Sequence, residues 1–380
     1  MTSDKKTNQP GKRDEIQIGD RRVGLSHPPL VVAEMSGNHN QSLERALAIV
    51  EAAARAGVGA LKIQTYTADT MTLDVSEGEF MVNDAKSLWA GKSLYRLYQE
   101  AHTPWEWHKT IFGRCRKLGL IGFSTPFDVS SVDFLESHGV PCYKIASFEN
   151  IDLPLIRRAA STRKPLIIST GMATLEELEE TIETARGAGC QDLILLKCTS
   201  CYPAPPKALH LQTLSDLRRR FGVEVGISDH TVGIGASIAA VSLGATVIEK
   251  HFTLKRSDGG VDSAFSIEPE EMKKLVEESM RAWEALGQVT YGPTPEEKTS
   301  LLYRRSIYAV KEIKAGEVLS KENIRIIRPA LGLAPKHYDH ILGKRASRTI
   351  PRGKPIQWES IETLKLTEEA TGKVGAKSRA

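Results

Sequence analysis

Short apolar runs, most of them closing on a polar or ionisable residue, recur through the first two-thirds of the chain. Eight of them read as strands: Leu30 to Ser36, Ala60 to Thr65, Ile121 to Phe127, Cys142 to Ser147, Pro165 to Thr170, Leu193 to Ser200, Val223 to His230 and Thr246 to Thr253. Amphipathic segments of helical length, rich in Ala and Leu, lie between them. Strand and helix alternating in this way predict an α/β fold, the (β/α)8 TIM barrel, whose active sites lie at the C-terminal strand ends. Glu34, Lys62, Gln64, Lys144, Ser169, Ser200, His230 and His251 all fall at those ends.

Helix starts fall where this scheme needs them. Thr103-Pro104-Trp105-Glu106 offers a capping hydroxyl, a proline at the first helical position and a Glu three residues after the cap; Thr174 with Glu177 repeats that spacing. Tyr66 to Thr103 is longer than a barrel loop requires and reads as an elaborated active-site loop with a helix around Trp89 to Glu100. The last barrel helix should end near Leu286-Gly287, before the stiff, non-helical Tyr291-Gly292-Pro293-Thr294-Pro295. Beyond Arg304 the β-like pieces are Ser306 to Val310, Ile324 to Ile327 and Ser347 to Ile350. The expected organisation is a disordered tail (1–14), a barrel (15–287), a linker (288–303), a small mixed domain (304–363) and a second disordered tail (364–380).

Composition narrows the function classes. At 380 residues the chain leaves room for a second module beside a barrel of roughly 250 residues. With 41% hydrophobic and 26% charged residues it is an ordinary globular chain, and a net charge of +4 gives no reason to expect nucleic acid as a partner. Lys5, Lys6, Lys12 and Arg13 belong to the first tail. Five cysteines cannot all pair, and the C-x-x-C of Cys198 and Cys201 lacks a second Cys pair to complete a zinc site. No apolar stretch approaches the roughly 18 residues of a membrane span, and no signal-peptide core follows the charged N-terminus. A reduced, cytoplasmic protein without a membrane partner is expected.

Period-2 alternation decides which strand residues share the barrel interior. Val32, Glu34 and Ser36 share a face, as do Lys62 and Gln64, then Gly226, Ser228 and His230, and then Val247, Glu249 and His251. Lys197 alternates away from Cys198 and should point outward. Buried ionisable groups on barrel strands are costly unless paired or functional, so a structural ion-pair network is the alternative to catalysis. His230 and His251 end adjacent strands, and two imidazoles leaving positions open to water or substrate suit a divalent Lewis-acid cation; a general base and an unrelated loop His is the other reading. Lys62 and Lys144, with the hydroxyls of Thr125, Ser147, Ser169 and Ser228, suit a phosphate or carboxylate, while a lysine Schiff-base aldolase is the rival enzyme.

The segments Ala33-Glu34-Met35-Ser36-Gly37-Asn38-His39-Asn40, Lys62-Ile63-Gln64-Thr65-Tyr66-Thr67, Tyr143-Lys144-Ile145-Ala146-Ser147-Phe148-Glu149, Ser228-Asp229-His230 and Glu249-Lys250-His251-Phe252 resemble the sialic acid synthase family. Arg328-Pro329-Ala330-Leu331-Gly332-Leu333 with Leu342-Gly343-Lys344 is similar to its C-terminal antifreeze-like (SAF, β-clip) domain. The resemblance implies condensation of phosphoenolpyruvate with an amino sugar, and the wording is closest to the branch acting on 2,4-diacetamido-2,4,6-trideoxy-L-altrose to give pseudaminic acid and phosphate. The legionaminic and N-acetylneuraminic acid branches are its neighbours. It further implies that His230 and His251 hold a divalent cation of manganese type, with magnesium and cobalt as the other candidates. Lys62, Thr125, Lys144, Ser147, Ser169, Ser200 and Ser228 would bind phosphoenolpyruvate, with Ser200 standing where neuraminate-forming relatives often have Asn. Glu34 would be catalytic and would face the sugar together with Gln64, Tyr202 and Asp262. Arg328 would reach the barrel of a partner subunit in a domain-swapped homodimer. Phe148 is a candidate to pack on the methyl group of a 6-deoxy sugar. A catalytically silent sugar-binding protein, with the SAF domain as an interaction module, is the non-enzyme alternative.

Overall fold

The computed structural model describes residues 15–85 and 87–362; the tails expected at 1–14 and 364–380 lie outside the described residues. The chain divides into two compact units at Gly287–Gln288. The first unit opens with a hairpin, β1 (Ile16–Ile18) and β2 (Arg21–Val23), and continues into β3 (Leu30–Glu34), β4 (Ala60–Thr65), β5 (Ile121–Pro126), β6 (Tyr143–Ile145), β7 (Leu166–Ser169), β8 (Leu193–Cys198), β9 (Glu224–Ser228) and β10 (Val247–His251). These last eight are parallel and close into a barrel through the β10–β3 pairing, with His251 opposite Glu34. The strands are somewhat shorter than the apolar runs suggest, because Ser36, Ser147, Ser200 and His230 already lie in the loops beyond them.

The sequence alternation sorts each strand into two environments. Outward residues such as Val31, Leu61, Ile145, Ile168, Leu195, Ile227 and Ile248 join the layer between strands and helices. Inward residues at the strand starts, among them Leu30, Val32, Ala60, Phe123, Ile167, Ile194 and Val247, form a second core that Ile16, Ile18 and Val23 of the hairpin close off at the N-terminal end. The barrel is therefore apolar at its floor and polar at its mouth. Gly226 keeps β9 and β10 close: a Cβ there would come within 2.3 Å of the Val247 carbonyl oxygen and 2.7 Å of Leu196 Cδ2.

Helix caps follow the sequence in one case and depart from it in another. Thr174 Oγ1 accepts from Glu177 N at 3.2 Å while Thr174 N donates to the Glu177 carboxylate at 2.7 Å, so the capping box starts helix Leu175–Gly187. Thr103 forms no such cap. Its hydroxyl lies 3.3 Å from His39 Nε2, and Trp105–Trp107 is a 3-10 turn leading into helix His108–Lys117. The long loop contains helix Leu94–Ala101, which starts later than the sequence suggests because Ser93 supplies the cap.

His39 and His108 are fully buried beneath this loop. His108 lies 2.8 Å from Thr65 Oγ1, and Thr65 continues to Ser124 Oγ at 2.6 Å. Burial, partly offset by backbone hydrogen bonding, depresses both imidazole pKa values to about 4. A base with a depressed folded pKa contributes stability that is fully present above the unfolded value near 6.5 and is lost as pH falls toward 4. Glu34 and Glu149 act in the opposite direction, since burial raises both. The contribution is therefore read as a difference. Between pH 6.5 and 4.5, wild type should lose on the order of 1–3 kcal/mol relative to His108→Gln in denaturant unfolding, and parallel pH profiles would refute this.

The second unit is built on β11 (Ser306–Ala309) paired antiparallel with β12 (Ile324–Ile327) around Ile307, Ile313, Leu319, Ile324, Ile341, Ile350 and Ile356. The third expected strand, Ser347 to Ile350, is reduced to a single bridge between Ile350 and Ile313. A 3-10 helix at Thr299–Tyr303 precedes β11.

Candidate active site

A cavity of about 360 Å³ opens at the C-terminal ends of the barrel strands. Its floor is a ring of charges delivered by strand register. Lys62 Nζ lies 2.5 Å from Glu34 Oε2 as an ion-pair contact, 3.9 Å from Glu249 Oε2, and donates to Thr125 Oγ1 at 3.0 Å. Lys144 Nζ donates to Ser169 Oγ at 2.7 Å and lies 3.9 Å from Glu249 Oε1, which also accepts from Ser228 Oγ at 3.0 Å. All four ionisable groups are buried.

Electrostatics within the ring are set by neighbours as well as burial. Burial opposes charge on Lys62, but Glu249 and Glu34 outweigh it and raise its pKa; on Lys144 burial prevails and the pKa falls. Glu34 is raised by burial against the attraction of Lys62, and Glu249 is lowered because the two lysines overcome its burial.

One wall is aromatic and carries the imidazoles. His230 and His251 have ring centroids 5.2 Å apart, Tyr202 stacks 4.5 Å from His230, and Phe265 lies 4.8 Å from His251. His230 Nδ1 lies 3.1 Å from the Thr199 carbonyl and 3.9 Å from Cys198 Sγ. His251 Nδ1 is buried and has no hydrogen-bond partner among the described residues. Burial and the adjacent His230 hold His251 well below its usual pKa, in the neutral form that ligates metals. Two adjacent imidazoles, one neutral with an orphaned nitrogen, fit a divalent cation. Among the described residues no group of three or more His, Cys, Asp and Glu could hold a metal ion, so water and substrate would complete the coordination.

The expected residues separate into three sets. Glu34, Lys62, Gln64, Lys144, Ser147, Ser169, Tyr202, Ser228, His230, His251 and Asp262 all line the cavity. Asp262 accepts from Gly37 N at 3.3 Å and from the Ser36 hydroxyl. Thr125 and Ser200 stand behind the lining: Thr125 braces Lys62, and Ser200 Oγ is buried without a hydrogen-bond partner. Arg328 belongs to the second unit, where it is exposed at the end of β12. Lys197 stays out of the cavity and donates to the Cys198 carbonyl at 2.9 Å. Phe148 borders the mouth but is 58% exposed.

Several lining groups were not assigned roles from sequence. Glu249 shares the inward face of His251, so alternation had already placed it inside. Cys198 falls on the inward face opposite Lys197, and although burial opposes thiolate formation, His230 and Lys144 bring its pKa down to about 7. Glu149 lies just past β6; burial, opposed by Lys144, raises its pKa to about 7, and its Oε2 has no hydrogen-bond partner among the described residues. All five cysteines are free thiols.

A (β/α)8 barrel with a lysine and hydroxyl cradle beside paired imidazoles defines an enzyme site for an anionic substrate and a second, polar one. The chain belongs to the NeuB family, which it matches over residues 49–291, and carries a SAF domain at residues 304–362. It is 43% identical to pseudaminic acid synthase of Campylobacter jejuni over 90% of this chain and 98% of that one. With N,N'-diacetyllegionaminic acid synthase of Legionella pneumophila the identity is 38%, covering 90% and 98% of the two chains. The crystal structure of N-acetylneuraminic acid synthetase from Leptospira borgpetersenii superposes with a TM-score of 0.68 at 30% identity, covering 76% of this chain and 96% of that one. Among the described residues no helix is long and apolar enough to cross a membrane.

Proposed function

We propose that the protein condenses phosphoenolpyruvate with 2,4-diacetamido-2,4,6-trideoxy-L-altrose and water to give pseudaminic acid and phosphate. The observation that carries this reading is the adjacency, in one cavity, of the Lys62–Lys144 cradle and the His230–His251 pair. The higher identity to a pseudaminic than to a legionaminic acid synthase favours this sugar.

Lys62 and Lys144 hold the phosphate and carboxylate of phosphoenolpyruvate, with Ser147, Ser169 and Ser228 contributing hydroxyls from the cavity lining and Thr125 fixing Lys62. Gln64, Tyr202 and Asp262 orient the open-chain sugar. A manganese-type cation held by His230 and His251, with magnesium or cobalt as alternatives, would supply Lewis acidity toward the aldehyde oxygen. Attack of C3 of phosphoenolpyruvate on the aldehyde carbon leaves an oxocarbenium-like C2, which Glu34 stabilises and water traps. Phosphate then leaves with its bridging oxygen by C–O cleavage. In the proposed assembly, a domain-swapped cytoplasmic homodimer, Arg328 of one subunit completes the sugar site of the other.

Incubation with phosphoenolpyruvate, manganese and the altrose derivative should release phosphate and a nonulosonic acid. Phosphoenolpyruvate labelled with oxygen-18 at the bridging position should yield labelled phosphate. Turnover of N-acetylmannosamine but not of the altrose derivative would overturn the substrate, and unlabelled phosphate would overturn the bond cleaved.

A further inference from the structure

Helix Leu94–Ala101 is amphipathic, with Leu94, Leu97, Tyr98 and Ala101 at the spacing of a single face. Such a face ordinarily packs on a core. Here none of the four belongs to the strand–helix layer, the barrel interior or the core of the second unit. All four line the reaction cavity instead, and Leu97 is only 7% exposed. The apolar stripe therefore faces the cavity instead of a hydrophobic core, with Tyr98 also meeting the Tyr66 ring edge-on at 5.8 Å.

The helix is held firmly in that position. Ser93 caps its start, and its last turn sits so close to the exit of β3 that a Cβ on Gly37 would meet both Ala101 and Val261 at 3.3 Å. Trp89 bounds the same space from the other side, with its indole N–H donating to the Val261 carbonyl at 2.8 Å and its ring 6.0 Å from Tyr202. The side chains of Leu94, Leu97 and Ala101 offer no partner to a hydroxyl, and the Tyr98 phenol is the one polar group of the stripe.

We propose that this stripe is a specificity-determining subsite that receives the alkyl parts of the sugar, namely acylamino methyl groups and a deoxygenated terminal carbon. It deepens the function proposed above, on which it rests for the identity of the sugar. The site selects deoxy, N-acylated sugars because a terminal hydroxyl placed against Leu94 and Leu97 would be stripped of water without compensation. Phe148 lines the same cavity at its exposed mouth.

Calorimetric binding of the 2,4-diacetamido-6-deoxy sugar and of its 6-hydroxy counterpart tests the subsite without requiring turnover. Wild type should prefer the deoxy sugar by roughly 10–100-fold, Leu97→Met should keep that preference, and Leu97→Gln should shrink it to within about threefold. Phosphoenolpyruvate affinity, measured on the same samples, should not change. If Leu97→Gln does not fold, Leu94→Gln, at a half-buried position of the same stripe, decides. An unchanged preference in the folded Gln variant overturns the subsite even if wild type releases phosphate, whereas a lost preference in that variant, with no phosphate released by wild type, sustains the subsite and overturns the reaction.

Discussion

His251→Ala should leave a folded barrel whose phosphate release has fallen by roughly 10³-fold and no longer responds to divalent cations, a loss of several kcal/mol of Lewis-acid stabilisation. The fold should survive because His251 Nδ1 has no hydrogen-bond partner among the described residues, so its removal orphans no known donor or acceptor at that atom. What is lost in packing are the ring contacts with Phe265 at 4.8 Å, His230 at 5.2 Å and Tyr202 at 6.4 Å. Calorimetric titration with manganese supplies the decisive readout, and wild-type metal affinity in the variant would overturn the ligand assignment. Mixing His251→Ala with Arg328→Ala before refolding extends the test to the assembly. If Arg328 serves the partner's barrel, half the dimers are mixed and each has one intact site, restoring about a quarter of wild-type activity. No recovery would exclude the domain swap without touching the metal ligands.

Lys250→Met should be the most damaging single change to stability, costing about 3–5 kcal/mol. Lys250 Nζ donates to the Asp229 carboxylate at 2.9 Å and to the Thr231 carbonyl at 2.8 Å, and both side chains of the ion pair are almost wholly buried. Asp229 further accepts from Thr231 N at 2.8 Å and Ser237 Oγ at 2.6 Å. Burial alone would raise the Asp229 pKa, yet Lys250 and these donors lower it, so removing the cation strands a carboxylate. A melting temperature lower by ~5–10 °C is expected, and the double variant Lys250→Met with Asp229→Asn should recover most of it. A single-variant shift below about 2 °C would refute the argument. Because Asp229 and Thr231 flank His230, manganese affinity should weaken in the same variant.

Much of this site was legible without coordinates because a barrel imposes one rule on every strand. Alternation put Glu34, Lys62, Ser228 and His251 inside, and the direction of the chain put them, with Lys144, at the mouth. The same rule held Lys197 apart from Cys198 and placed Glu249 beside His251. It could not say that Glu249 spans both lysines, since that depends on shear and on side-chain reach. Nor could it show that Lys250, directed outward, would meet Asp229 rather than solvent. The Thr103 capping signal failed because His39, distant in sequence, takes up the hydroxyl.

The sequence by itself determined the barrel, the polar mouth, the pairing of imidazoles on neighbouring strands and the presence of a second small unit, because these follow from periodicity and chain order. Only the tertiary structure decided which charges neutralise each other, which hydroxyls touch the cavity and which merely brace a lysine. It alone turned the apolar face of helix Leu94–Ala101 toward the cavity instead of a core. Periodicity fixes which residues share a face, but what that face meets is settled by packing across elements far apart in the chain.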